Sequence, residues 1–245
     1  MRKMATPSEH TPLGQVAERY WVQSRRPLAS LVFLAPLLVV YEAGVLLLGA
    51  QNGADAFLRR LLDLLGFGQH FVLPVLTVCI LLAWHYLSRQ PWQFSGGIIS
   101  GMAVECLGLG LCLRVILFLQ DTLFRVFDDA VVASIGTQLK VSVGLLGAGI
   151  YEELLFRLIL LSLAAWLLRR MGVAPRLSTI AAAIVTSLLF AAAHHIGPYG
   201  EPMQGFRFLF RVLAGMFFAG VFIYRGFGIA AGSHAVYDIL AWLSG

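Results

Sequence analysis

Charge is scarce in this chain. Asp, Glu, Lys and Arg make up only 13% of its 245 residues, where an ordinary soluble domain carries roughly a quarter. So few charges cannot keep a globule of this size in water, and this excludes a soluble enzyme or a solvated scaffold. Cysteine is scarce as well. The three present, Cys79, Cys106 and Cys112, form no CxxC pair and all lie in apolar segments. They read as small buried apolar residues, neither a disulfide frame nor a zinc ribbon. No HExxH occurs, so the ordinary zincin signature is missing. The polar N-terminus, MRKMATPSEHTPLGQVAERYWVQSRRP, lacks the short apolar core of a signal peptide. A net charge of +5 comes with no compact basic face and no reader motif, so nucleic acid is not an expected partner.

What the chain does have is apolar length. Hydrophobic residues make up 59%, and the mean hydropathy is +0.81. A helix needs about 20 apolar residues to cross a bilayer. Seven segments approach that length: 28–49, 71–88, 94–119, 141–168, 177–195, 206–225 and 227–243. The expected fold class is all-α, a polytopic transmembrane helical bundle of about seven spans. Residues 1–27 read as a cytoplasmic lead-in and 28–245 as a single membrane domain. Within 55–67, Phe57, Leu58, Leu61, Leu62, Leu64 and Leu65 form an apolar face, with Arg59, Arg60 and Asp63 largely opposite. That pattern predicts a short helix lying in the interface, and 124–136 is a candidate for a second. The Gly-rich stretches 96–101, 144–149 and 226–232 predict close helix packing.

Seven spans put the termini on opposite sides. With the N-terminus inside, that side collects ten Lys and Arg residues against five outside, leaving Arg114, Arg157 and Arg211 within spans. The positive-inside rule therefore favours a cytoplasmic N-terminus.

Ionisable residues inside a membrane are functional candidates by default, and three groups of them share a simple spacing. In GIYEELLFRLIL (149–160), Glu153 and Arg157 are one turn apart on one face, the favourable order for an ion pair. Glu152 points about 100° away from Glu153 and is left without a local cation. A carboxylate not spent on a salt bridge is what a general base requires. In FAAAHH (190–195), Phe190 and His194 share a face. In HAVYD (234–238), His234 and Asp238 do the same, and a carboxylate beside an imidazole can orient it. Any of these can be a packing contact taken singly. Together, on three helices, they can converge on one site able to activate water and polarise a carbonyl. Glu42 and Glu105 lie outside these groups; pairing with Arg114 or Arg211 is the expected use of both, and lining a substrate cavity is the alternative.

The order EExxxR, FxxxH, HxxxD within apolar helices resembles the CPBP family of intramembrane proteases, which includes type II CAAX prenyl endopeptidases and bacteriocin-processing or immunity proteins. Here the motifs are Glu152-Glu153-Leu-Leu-Phe-Arg157, Phe190-Ala-Ala-Ala-His194 and His234-Ala-Val-Tyr-Asp238, within 141–243. The resemblance implies that Glu152 activates water for attack on a peptide carbonyl and that His194 helps hold it. It implies His234 and Asp238 at the oxyanion, with Glu153, Arg157 and Phe190 in support. Asp238 stands where many members carry Asn; it must be protonated, orient His234 or bind metal. The expectation is catalysis without a metal, with zinc on Glu152, His194, His234 and Asp238 as the alternative. The expected partners are the lipid bilayer and a membrane-anchored or lipidated protein substrate, met at the outer half of the membrane. The competing readings are a non-catalytic immunity or scaffold protein and a proton-coupled transporter. The second would often show inverted repeats, and none is visible.

Overall fold

The computed structural model describes residues 12–68, 70–124, 135–196 and 200–244. Among them the fold is all-α with no strand: α1 (Pro12–Ser24), α2 (Pro27–Leu48), α3 (Gly53–Leu64), α4 (Val72–Leu87), α5 (Gly96–Phe124), α6 (Ile135–Glu153), a π-helical segment (Leu154–Leu161), α7 (Ser162–Arg170), α8 (Pro175–Ala193), α9 (Gly205–Arg225) and α10 (Phe227–Ser244). Among the described residues, four helices are long and apolar enough to cross a membrane: α2, α5 as far as Gln120, α8 and α9. Helix α4 is apolar but shorter. The chain is an integral, multi-spanning α-helical membrane protein. The segment 124–136, read as a second interfacial helix, falls largely outside the described residues.

The last helix is the centre of the bundle. Helix α10 packs against α2, α5, α6 and α9, and Phe227, Ile229, Ala230 and Ala231 are fully buried. Small residues permit this, because without a hydrophobic drive helices in lipid associate through close backbone approach. Gly149 of α6 shows the effect nearest the polar residues. A Cβ there would lie 2.7 Å from the Ala235 nitrogen and 2.8 Å from the Ala231 oxygen of α10. A side chain at that position would push α6 and α10 apart beside Glu153 and His234.

Helices α6 and α7 and the π-helical segment between them form one continuous rod, since Glu153 and Ser162 keep helical backbone angles at both junctions. A tight turn then reverses the chain. Gly172 takes φ 87°, a conformation open to glycine, and Pro175 starts α8 with its fixed φ. The turn lies about midway between Glu152 and His194 in sequence, so the antiparallel return of α8 brings the His194 end back to the two glutamates.

Three expectations about polar and small residues change. Arg59 of α3 does not face outward with Arg60. It turns into the protein, where Nη2 lies 2.9 Å from Glu42 and Nε 2.6 Å from Asp55. Tyr151 adds a hydrogen bond of 2.5 Å to Glu42. An arginine stem is long enough to cross from a helix flank to a buried carboxylate, which helical-face arithmetic does not capture. Glu105 pairs with Arg225 at 2.5 Å, joined by Tyr20 donating to its other oxygen at 2.5 Å. Both carboxylates are thus ion-paired, but with neither Arg114 nor Arg211, and Arg225 is a buried partner instead of a loop charge. Cys79 and Cys112 are exposed on helix surfaces and only Cys106 is buried; a thiol is apolar enough for a lipid-facing position.

Candidate functional site

Five helical elements supply the site: α6, the π-helical segment, α8, α9 and α10. The C-terminal end of α6 carries Glu152 and Glu153, and the π-helical segment begins at the next residue. Such wide turns inside α-helices recur at functional sites. Glu153 and Arg157 form the expected ion pair, Nη1 to Oε1 at 3.0 Å, and both side chains are almost completely buried. A buried guanidinium needs more than one partner. Arg157 Nη2 also donates to the Gly215 carbonyl of α9 at 3.2 Å, and its guanidinium carbon lies 4.4 Å from the centre of the Phe190 ring, a cation–π contact.

Glu153 has a second neighbour. Its Oε1 lies 2.8 Å from His234 Nδ1. A carboxylate only accepts, so Nδ1 carries the hydrogen and Nε2 is the end of the ring left for chemistry. The ring plane is fixed from beneath by Phe218 of α9, stacked at 4.3 Å between centroids with 16° between planes. His234 Nε2 then faces two carboxylates, Glu152 Oε2 at 3.8 Å and Asp238 Oδ2 at 3.6 Å.

His194 arrives at the end of α8. Its Nδ1 lies 2.8 Å from the Phe190 carbonyl oxygen, which again fixes the hydrogen on Nδ1. Nε2 faces Glu152 Oε2 at 3.9 Å. Phe190 holds the ring edge-on at 4.8 Å and contacts His234 at 6.0 Å. The sequence-derived residues Glu152, Glu153, Arg157, Phe190, His194, His234 and Asp238 therefore sit in one cluster. Glu152 Oε2 is its hub, close to two imidazole Nε2 atoms yet beyond direct hydrogen-bonding distance of either.

The donors resemble a zinc set in chemistry. Zinc ligands at about 2.0–2.1 Å stand roughly 3.3 Å from one another in a tetrahedron. The Glu152, His194, His234 and Asp238 separations of 3.6–3.9 Å are wider than that. Among the described residues no group of three or more His, Cys, Asp or Glu converges to hold a metal ion.

Sequence reasoning missed Phe218 and Gly215. Phe218 stands in GMFFAGVF, where nothing distinguishes the ring beneath His234 from a core phenylalanine. Gly215 contributes a carbonyl, which has no sequence signature. A third omission lies beside His194. Glu201 takes Arg211 at 2.8 Å and Arg207 at 3.2 Å. Its backbone nitrogen donates to the His194 carbonyl at 2.9 Å, and its carbonyl lies 2.9 Å from His195 Nδ1.

No curated protein and no solved structure matches the chain. Residues 135–240, which hold all of these motif residues, match the family model described as type II CAAX prenyl endopeptidase Rce1-like.

Proposed function

We propose that the chain is an intramembrane endopeptidase that hydrolyses a peptide bond of a membrane-anchored protein. The observation that carries this reading is the position of Glu152 Oε2, 3.8 and 3.9 Å from the Nε2 atoms of His234 and His194. Those separations are too long for direct bonds and suit groups that share a water. The match of 135–240 to a prenyl-endopeptidase family model supports the same reaction class.

The hydrogen-bond pattern assigns roles. His194 donates through Nδ1 to the Phe190 carbonyl, so in its neutral form Nε2 accepts. Glu152 accepts as a carboxylate. A water between them directs both hydrogens at these acceptors and its lone pair at the substrate carbonyl carbon. In the attack Glu152 takes one proton and the water oxygen bonds to carbon. His234, with Nδ1–H bound to Glu153, stabilises the developing oxyanion through a protonated Nε2, the role of a preorganised donor. Asp238, protonated, is the second donor. Collapse of the tetrahedral intermediate breaks the C–N bond, and the proton on Glu152 passes to the leaving nitrogen. The direct products are a carboxylic acid and an amine, and transfer of the acid's proton to the amine leaves a carboxylate and an ammonium. No step requires a metal, and zinc analysis of the purified protein tests that part separately.

In this reading the bundle crosses the membrane about seven times, and the site opens towards the outer half through the His194 end of α8. The test is reconstitution into vesicles with membrane-anchored peptides, with products read by mass spectrometry. Cleavage near the membrane boundary is the expected result. An intact peptide pool across a broad library returns the chain to the non-catalytic reading.

A further inference from the structure

Beside His194 lies an ion cluster that the hydrolytic steps do not use. Arg207, Arg211, Gly215 and Phe218 fall on one face of α9 by helical spacing. Gly215 accepts from Arg157 and Phe218 lies under His234, so this face is the one turned to the site. Arg211 stands on it one turn before Gly215 and two before Phe218, about 6–10 Å along the axis at 1.5 Å per residue.

Among the described residues Arg211 has one carboxylate partner, Glu201, whose side chain is 42% exposed while that of Arg211 is 16% exposed. Arg211 Nη1 is buried and donates no hydrogen bond. The cation is thus held in place beside the site, while its counter-ion is solvent-facing and uses one oxygen for both arginines. Guanidinium favours bidentate recognition of a carboxylate, and one shared Glu201 oxygen does not supply it.

We propose that Arg211, aided by Arg207, is a specificity-determining subsite for a carboxylate of the substrate, and that Glu201 occupies the place of that carboxylate until substrate binds. An extended chain covers about 3.3–3.6 Å per residue. The carboxylate recognised therefore stands two to three residues from the bond that is cut, on an acidic side chain or at a chain end. The exchange of Glu201 for a substrate carboxylate conserves charge, so a neutral peptide gains nothing from it and an acidic one gains the second guanidinium nitrogen. This inference rests on the endopeptidase reading for the meaning of the cut bond, but carboxylate binding at Arg211 can be measured without cleavage.

The experiment uses the full chain carrying Glu152→Gln in detergent and three dye-labelled peptides. All share one apolar anchor of about 20 residues and a short polar tail. One tail ends in a free carboxylate, one in an amide, and one is amidated with a single internal Asp. Binding is read by fluorescence anisotropy. A carboxylate-bearing peptide binds about tenfold more tightly than the neutral one. Arg211→Gln removes that preference, Arg211→Lys keeps part of it, and Glu201→Gln strengthens binding of the acidic peptide. Preference for the free end alone identifies a chain terminus as the ligand, and preference for the Asp tail alone identifies a side chain. Equal binding of all three peptides, binding of none, or a preference that survives Arg211→Gln overturns the subsite. Charge preference without any cleavage by the unsubstituted chain leaves the subsite standing and removes the endopeptidase reading.

Discussion

Glu153 Oε1 lies 2.8 Å from His234 Nδ1 and fixes which end of that ring meets Glu152. The same oxygen pairs with Arg157 at 3.0 Å. One carboxylate therefore joins three helical elements and sets the orientation of the histidine without touching the reacting atoms. Glu153→Gln keeps the shape and one acceptor but removes the charge. Loss of such an orienting partner costs about 10–100-fold in activity, and the prediction is a fall of that size in kcat with KM little changed. Glu153→Ala leaves the Arg157 guanidinium buried and unpaired, at a cost of about 3–5 kcal/mol. Thermal unfolding in detergent should show a large loss of stability for Glu153→Ala and a smaller one for Glu153→Gln.

Phe218 is stacked on His234 at 4.3 Å. An aromatic pair adds about 0.5–1.5 kcal/mol beyond its buried area. Phe218→Leu preserves most of the apolar volume and removes the flat support. The expected outcome is a folded protein whose kcat/KM falls about two- to tenfold, since each 1.36 kcal/mol is tenfold in rate. Activity equal to the unsubstituted chain would show that the ring merely fills space.

Asp238 can assist the oxyanion only as a donor. Asn at the same position donates through its amide without needing a proton. Asp238→Asn is therefore expected to hold kcat within a few-fold, whereas Asp238→Ala lowers it by about 100-fold or more, the scale of one lost oxyanion donor. If the carboxylate instead orients His234 as an anion, Asp238→Asn falls with Asp238→Ala. Steady-state kinetics of the two variants separates these roles.

The Glu105–Arg225 pair includes none of the site residues and ties α1, α5 and α9 together. Arg225 donates to Glu105 through Nε and Nη2 and to Ser24 through Nη2 at 2.8 Å. Glu105→Ala leaves a buried guanidinium without its anion, so stability drops by about 3–5 kcal/mol. The fraction that remains folded should cleave with unchanged kcat. Unfolding curves and active-site-normalised rates measure the two separately.

Local relationships were legible in the sequence, and relationships between helices were legible only in part. Glu153 with Arg157 and His234 with Asp238 follow from one-turn spacing, which depends on helix geometry alone. That Glu152, His194 and His234 meet is not a spacing fact. It follows from the Gly172 turn and from the small residues of α6 and α10, and in the sequence it rested on the resemblance. The partners of Glu42 and Glu105 were misassigned because two arginines inside spans drew the pairing. Arg59 and Arg225, placed outside the lipid core by the span boundaries, reach back with long side chains. Helix α1 was hidden in a stretch read only as a polar lead-in, because its apolar residues are few. Phe218 and the Gly215 carbonyl had no signature, since a stacked ring and a backbone oxygen acquire their roles from a neighbour that the chain reaches only through folding.

Glu152 is the base in the proposed hydrolysis. The most direct measurement compares the unsubstituted chain with Glu152→Gln, purified and reconstituted side by side, on one membrane-anchored peptide that the unsubstituted chain cleaves. Product formation is followed by mass spectrometry. Glutamine keeps the shape and cannot take the proton, so the cleavage rate should fall by about 100- to 10,000-fold, the range for a general base, with peptide binding retained. Cleavage by Glu152→Gln at the unsubstituted rate would contradict the account.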